Sequence, residues 1–172
     1  MWWCWIPLKF DDFALHVILE EDRTGARNTN FAMRVWPEAT GKPPEQLGWP
    51  LPEISYVSGT RNPTRASMEL VNREGKASTL EIQPLTGISL NVGCGYGADP
   101  DWTHGLWKGE SWVEGAVYDH NDPAVSGRAA FSITDYIACA TFDGQTGWGI
   151  FEHGALGRHD PSGFTDFLSV AP

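Results

Sequence analysis

Basic residues are scarce in this chain. Against 22 Asp and Glu, its 172 residues include 12 Lys and Arg, for a formal net charge of −10 at pH 7, and the basic residues nowhere form a block. Affinity for phosphate backbones and anionic membranes is carried by basic patches, so this balance argues against nucleic acid and anionic lipid as partners. Cysteine is equally sparse: Cys4, Cys94 and Cys139 are odd in number and far apart. That excludes a disulfide framework and a CxxC metal knuckle, and it points to a reducing, cytoplasmic compartment. Long apolar runs are missing too. The opening MWWCWIPLKF meets Lys9, Asp11 and Asp12 too early to cross a membrane or to act as a signal peptide. No stretch has a persuasive helical period, and the short candidate at 45–47 is flanked by prolines.

What the chain does carry is aromatic surface and turn punctuation. Nine Trp and eight Phe are an excess for this length, and rings that large are expected to line a ligand site or a partner surface. Hydrophobic residues make up 41% of the chain, enough for one core, so residues 1–172 are expected to form a single domain. Asp22-Arg23-Thr24-Gly25, Asn72-Arg73-Glu74-Gly75 and Asp143-Gly144 are hairpin signals between alternating segments. Strands are predicted over 13–20, 28–36, 54–59, 66–71, 77–82, 88–92, 109–118, within 128–142, and over 145–152, after an opening strand whose two faces are both apolar. The proline-rich stretch 37–52 is expected to be a loop acting as a lid or a partner-facing arm. The glycine-rich 91–100 lacks the helix of a dinucleotide fold and is expected to be a bulge or irregular loop.

Residues 101–167 concentrate the chemistry, with four of the five histidines. Along the strand expected at 109–118, Glu110, Trp112, Glu114 and Tyr118 share one parity, and the small apolar Ser111, Val113 and Gly115 share the other. A row of carboxylates and rings facing a lumen would be desolvated and suited to general acid–base work; facing water, it would be a solubilising surface. On the returning strand Trp148, Ile150 and Glu152 share a face opposite Phe151 and His153, so only one of Glu152 and His153 points inward. His153 is either a proton-transfer group or a histidine satisfied by the backbone or an acid. His104 belongs to the mouth of the same element. His16 is expected to be buried, and His120 and His159 fall in turns beside Asp122 and Asp160, where capping is the expected role. Arg128 and Arg158 either bridge neighbouring aspartates or recognise a substrate carboxylate or carbonyl. His104, Glu110, Glu114, Glu152 and His153 have no HxH or HExxH spacing, so neither a metal nor another cofactor is expected. Ser111 and Ser162 lack the strand-to-helix elbow of a nucleophile.

The segments HGLWKGESWVEGAVYDHNDP, from His104, and DGQTGWGIFEHGALGRHDPSGF, from Asp143, resemble the C-terminal part of bacterial proteins allied to the lipocalin-like (calycin) superfamily of AttH-like proteins and carotenoid 1,2-hydratases. The close resemblance covers 104–164; the earlier strands agree in general layout. It implies two consecutive β-barrels in the full family, with hydratase, cyclase or pericyclic activity on hydrophobic polyenes or polyketide-like molecules in known relatives. One barrel fits in this length, corresponding to the second half, which leaves open a separate N-terminal-half subunit, a homodimer or a stand-alone relative.

Together these readings predict an all-β, antiparallel lipocalin-like β-barrel, with a β-sandwich as the alternative, that binds a small hydrophobic molecule. In the enzymatic version, a cofactor-independent hydratase, lyase or isomerase, Glu110 or Glu114 donates a proton and His153 or His104 relays or removes one. Trp107, Trp112 and Trp148 stabilise positive charge, and Tyr118, Glu152 and Arg128 complete the substrate wall. The alternatives are a non-catalytic carrier or sensor, and a structural dimerisation domain sealed by Trp2, Trp3 and Trp5.

Overall fold

The computed structural model describes residues 1–89, 105–115, 117–119, 121–124 and 134–172. Its strands are β1 (Trp2–Lys9), β2 (Ala14–Glu21), β3 (Arg27–Val35), β4 (Glu45–Gln46), β5 (Glu53–Tyr56), β6 (Pro63–Val71), β7 (Ala77–Ser89), β8 (Thr134–Phe142) and β9 (Gln145–Ala155). All nine join one antiparallel sheet in the order β4-β3-β2-β1-β9-β8-β7-β6-β5. The β8–β9 hairpin therefore slots in beside β1 and joins the N-terminal meander to β5–β7.

The hairpins follow from local chemistry. Asp22 Oδ1 accepts the N–H groups of Thr24 and Ala26, and Asn72 Oδ1 does the same for Glu74 and Lys76. These Asx turns hold the chain while Gly25 and Gly75 take φ of 86° and 82°, where a Cβ is disfavoured. In the β8–β9 turn Asp143 and Gly144 both have positive φ, the backbone of a two-residue hairpin matched to strand twist.

Alternation then decides the inside. Cys4, Ile6 and Leu8 of β1, Leu15, Val17 and Leu19 of β2, Met68 and Leu70 of β6, Leu80 and Ile82 of β7, and Phe142 and Phe151 of the last hairpin are buried in one cluster on the concave face. Burying each such side chain contributes roughly 1.5–3 kcal/mol. The ambiguous β1 points Trp2, Cys4, Ile6 and Leu8 inward and leaves Trp3, Trp5 and Pro7 half-buried on the convex face. Across from it, Gly149 is required: a Cβ there would lie 2.0 Å from the Pro7 carbonyl oxygen.

Three expectations need correction. The sheet curls through 208° into an open half-barrel and does not close. The stretch around Leu47 spans the gap instead: Leu47 N–H donates to the Ala32 carbonyl at 2.9 Å, Gly48 N–H donates to the Val71 carbonyl at 2.6 Å, and Arg27 reaches the Pro50 carbonyl at 3.0 Å. Pro43, Pro44, Pro50 and Pro52 lack the N–H that a continuous ladder would need there. Second, the strand expected at 109–118 is not formed by the described residues of that segment, which are exposed. Gly109, at φ 133°, turns the chain where the strand would begin. Third, no separate strand starts at 88. β7 runs on to Ser89 as one 13-residue strand, with a register shift between Pro84 and Thr86 that absorbs the proline. The glycine-rich stretch 91–100 and the start of the strand expected within 128–142 lie outside the described residues.

Candidate functional site

A polar cluster sits at one end of the otherwise apolar concave face. His153 follows Phe151 on the inward parity of β9, so the strand period drives an imidazole into the core. Its ring packs edge-on to Trp2 and stacks on Phe151, with centroids 5.4 Å and 6.0 Å away. His153 Nδ1 lies 2.9 Å from the Trp3 carbonyl oxygen. A carbonyl only accepts, so Nδ1 carries the proton and Nε2 presents its lone pair. Nε2 receives the hydroxyl of Tyr56 at 2.8 Å. Tyr56 lies on the edge strand β5, four strands from β9 along the sheet, and only the curl brings the two together. Burial holds the His153 imidazole down at about 4 and pushes the Tyr56 phenol up to about 12. At neutral pH the shared proton therefore stays on the phenol. Cys4 Sγ lies 3.6 Å from His153 Nδ1, and burial raises its thiol well above the ordinary range.

A second histidine adjoins the first through Trp2, whose indole stacks on His159 with centroids 5.3 Å apart. His159 Nε2 is 3.0 Å from Glu21 Oε2, and Nδ1 is 2.8 Å from Ser162 Oγ. Glu21 occupies the inward parity of β2 after Leu15, Val17 and Leu19, and its other oxygen accepts Arg27 Nε at 2.6 Å. Arg27 is anchored in turn on Asn30 and the Pro50 carbonyl. The guanidinium and the imidazole thus supply the hydrogen bonds that a buried carboxyl needs.

Beside His153 opens a cleft of about 300 Å³ with walls that include Tyr136, Asn62, Phe167 and Leu168. Arg61 does not face it as a free cation: its N–H groups go to the carbonyls of Ala155, Gly157, Asp166 and Ser169 and to Ser169 Oγ. It therefore clasps the C-terminal segment over the end of the sheet.

Among the described residues, those singled out by sequence lie apart from one another. Glu110 and Glu114 are exposed, with Glu114 3.7 Å from Lys108, and the Lys108 ammonium lies 4.6 Å over the Trp112 ring. Trp107 and Tyr118 are exposed on the same segment. Trp148 and Glu152 point to the convex face, where Trp3 Nε1 donates to Glu152 at 2.7 Å and Asp135 lies directly opposite. Desolvation, helped by Asp135, raises the Glu152 carboxyl. His104, His120 and Arg128 lie outside the described residues. His16 is wedged between Trp5 and Phe31, and Arg158 pairs with Asp160 at 2.6 Å. His159, expected to cap a turn, does contact Ser162 within its turn but also reaches Glu21. Tyr56 and Arg27 escaped notice, and Trp2 was read only as a seal for a dimer; Glu21 left a trace, a carboxylate on a core parity.

Among the described residues, no group of three or more His, Cys, Asp and Glu could hold a metal ion, and no helix is long and apolar enough to cross a membrane. Cys4 and Cys139 are free. No curated protein matches the chain, and no solved structure does. One family model matches residues 1–165, a span that takes in all nine strands and both histidine clusters. The chain belongs to that family, described as a family of unknown function (DUF8625).

Proposed function

We propose that this protein binds a small, mainly apolar organic molecule at the cleft beside His153 and moves a proton on it without a cofactor, as a hydratase, lyase or isomerase does. The observation that carries this reading is the buried His153–Tyr56 pair, with the imidazole lone pair on the phenol at 2.8 Å and the other ring nitrogen fixed on the Trp3 carbonyl. A phenol that keeps its proton is a hydrogen-bond donor for a ligand carbonyl, epoxide or alkene. Once the phenol turns to the ligand, Nε2 is free to accept a proton from an adjacent carbon. The apolar Phe167 and Leu168 of the cleft suit a hydrophobic substrate. The curled antiparallel sheet supports a lipocalin-like ancestry, and the free cysteines and acidic balance support a cytoplasmic setting. The exposed Glu110 and Glu114 take no part in this reading.

The alternative of a non-catalytic carrier draws on a different observation, a second cleft of about 560 Å³ bordered by Ala32, Leu47, Trp49 and Val71, whose lining includes no histidine or carboxylate. One experiment separates the two. A panel of hydrophobic enones and ketones is titrated by tryptophan fluorescence, and solvent deuterium incorporation at the carbon next to the carbonyl is followed. Saturable binding with deuterium incorporation is expected, and Tyr56→Phe and His153→Gln should lower the exchange rate by roughly 10²–10⁴-fold with less effect on affinity. Binding without exchange leaves the carrier; exchange unaltered in both variants rules out this pair as the acid and base.

A further inference from the structure

We propose that Ser162 is a covalent nucleophile, activated by His159 and Glu21, and that this second centre takes esters or other activated acyl compounds. The tautomer follows from the partners. The Glu21 carboxylate, already accepting Arg27, accepts a hydrogen bond from His159 Nε2–H at 3.0 Å, so in the neutral ring Nδ1 holds the lone pair. That lone pair lies 2.8 Å from Ser162 Oγ, within reach of the hydroxyl proton. The order is base between orienting carboxylate and hydroxyl, the roles that define such a triad on any fold. His159 and Glu21 are buried while Ser162 is half-buried, so the hydroxyl is the solvent-side member of the relay.

A separate observation points to a ligand oxygen here. The indole N–H of Trp2, a residue only 3% exposed, meets only the Tyr56 oxygen, and too loosely to complete a hydrogen bond. It lies beside the Tyr56 hydroxyl, which also meets the Ser162 side chain, and the Trp2 ring stacks on His159. A buried donor held by so loose a contact gains from a better-placed acceptor, such as a ligand oxygen that displaces the phenol. In this position it can receive the oxygen that gains charge as an acyl carbon is attacked.

In the reaction Ser162 Oγ bonds to the acyl carbon, its proton passes to His159 Nδ1, and the carbonyl electron pair moves onto oxygen. On collapse the bond to the leaving alkoxide breaks, and the alkoxide takes the proton from His159. Water then repeats the sequence on the acyl-serine and releases a carboxylic acid. The centre uses residues other than His153.

The test is labelling with an alkyl fluorophosphonate, in which the serine oxygen displaces fluoride from phosphorus. Peptide mass spectrometry of the folded wild-type protein should show one adduct, on Ser162. Ser162→Ala should abolish it, and the exposed Ser58→Ala should leave it unchanged. In a second arm Ser162→Cys reports on the base: its alkylation by iodoacetamide at pH 7 should run at least tenfold faster than that of Ser58→Cys, resolved peptide by peptide. Absence of an adduct in the wild type, an adduct on another serine that survives Ser162→Ala, or equal alkylation of the two engineered cysteines overturns the proposal. Labelling of Ser162 without deuterium exchange into ketones would uphold this centre and remove the proton-transfer reading; exchange without labelling would do the reverse.

Discussion

His153 has lost its water to Trp2 and Phe151, and that environment, more than any charge, keeps its ring neutral. The consequence is a pH dependence of folding. An imidazole in the unfolded chain takes a proton near 6.5, whereas the folded one resists until about 4. Between those values the unfolded state binds more protons, so stability is whole above pH 6.5 and falls as the pH drops toward 4, by roughly 3 kcal/mol at most. Glu152 acts in the opposite direction: its raised carboxyl binds a proton in the folded state before the unfolded one does, which adds stability as the pH falls. Urea midpoints measured from pH 7.5 to 4 should decline in the wild type, and His153→Gln should flatten that decline. A slope unchanged by the substitution would mean that the ring titrates freely. The sequence narrowed the inward residue to one of Glu152 and His153. It could not choose, because either side chain tolerates a core position once a partner is supplied, and those partners, Trp3 and Tyr56, are remote.

Hairpins are the elements that sequence shows best, because an Asx turn and a glycine a few residues on complete their bonding locally, as at Asp22 and Asn72. The segment at 109–118 shows the limit. Its alternation is strand-like, but alternation only licenses a strand that finds a neighbour to pair with, and Gly109 breaks the extended backbone at its start. How the end of the chain docks was hidden for the opposite reason: past the 3-10 turn Asp160–Ser162, residues 165–172 form no helix or strand, and what holds them is Arg61, more than a hundred residues away from Ser169 in the chain. Arg61 spends its fork on four carbonyls and a hydroxyl, while Gly59 and Thr60 exchange backbone hydrogen bonds with Ala171. Arg61→Ala should therefore expose residues 158–172 to limited proteolysis at least tenfold faster while leaving the sheet intact. Arg61→Lys should not restore protection, because an ammonium cannot span those acceptors at once. Cleavage at the wild-type rate in Arg61→Ala would show that the backbone bonds suffice.

At the scale of the molecule, the open half-barrel is held by what crosses its gap. Leu47 is buried to 3% exposure between β3 and β6, and its N–H and that of Gly48 donate to opposite edges. Leu47→Ala should cost about 2–4 kcal/mol in chemical denaturation, more than a one-sided edge contact would. It should also loosen Tyr56 on β5, read as faster hydrogen exchange in residues 53–56. A loss below 1 kcal/mol with unchanged exchange would mean that the gap needs no filler. By itself the sequence determined the strand class, the hairpins and most of the inward parities, because those depend on a period of two and on turn residues acting within a few positions. Only the tertiary structure decided that the sheet stays open and that Tyr56 meets His153 and Glu21 meets His159. Those pairs are 97 and 138 residues apart, and nothing in a local pattern encodes how far a sheet curls before its ends touch.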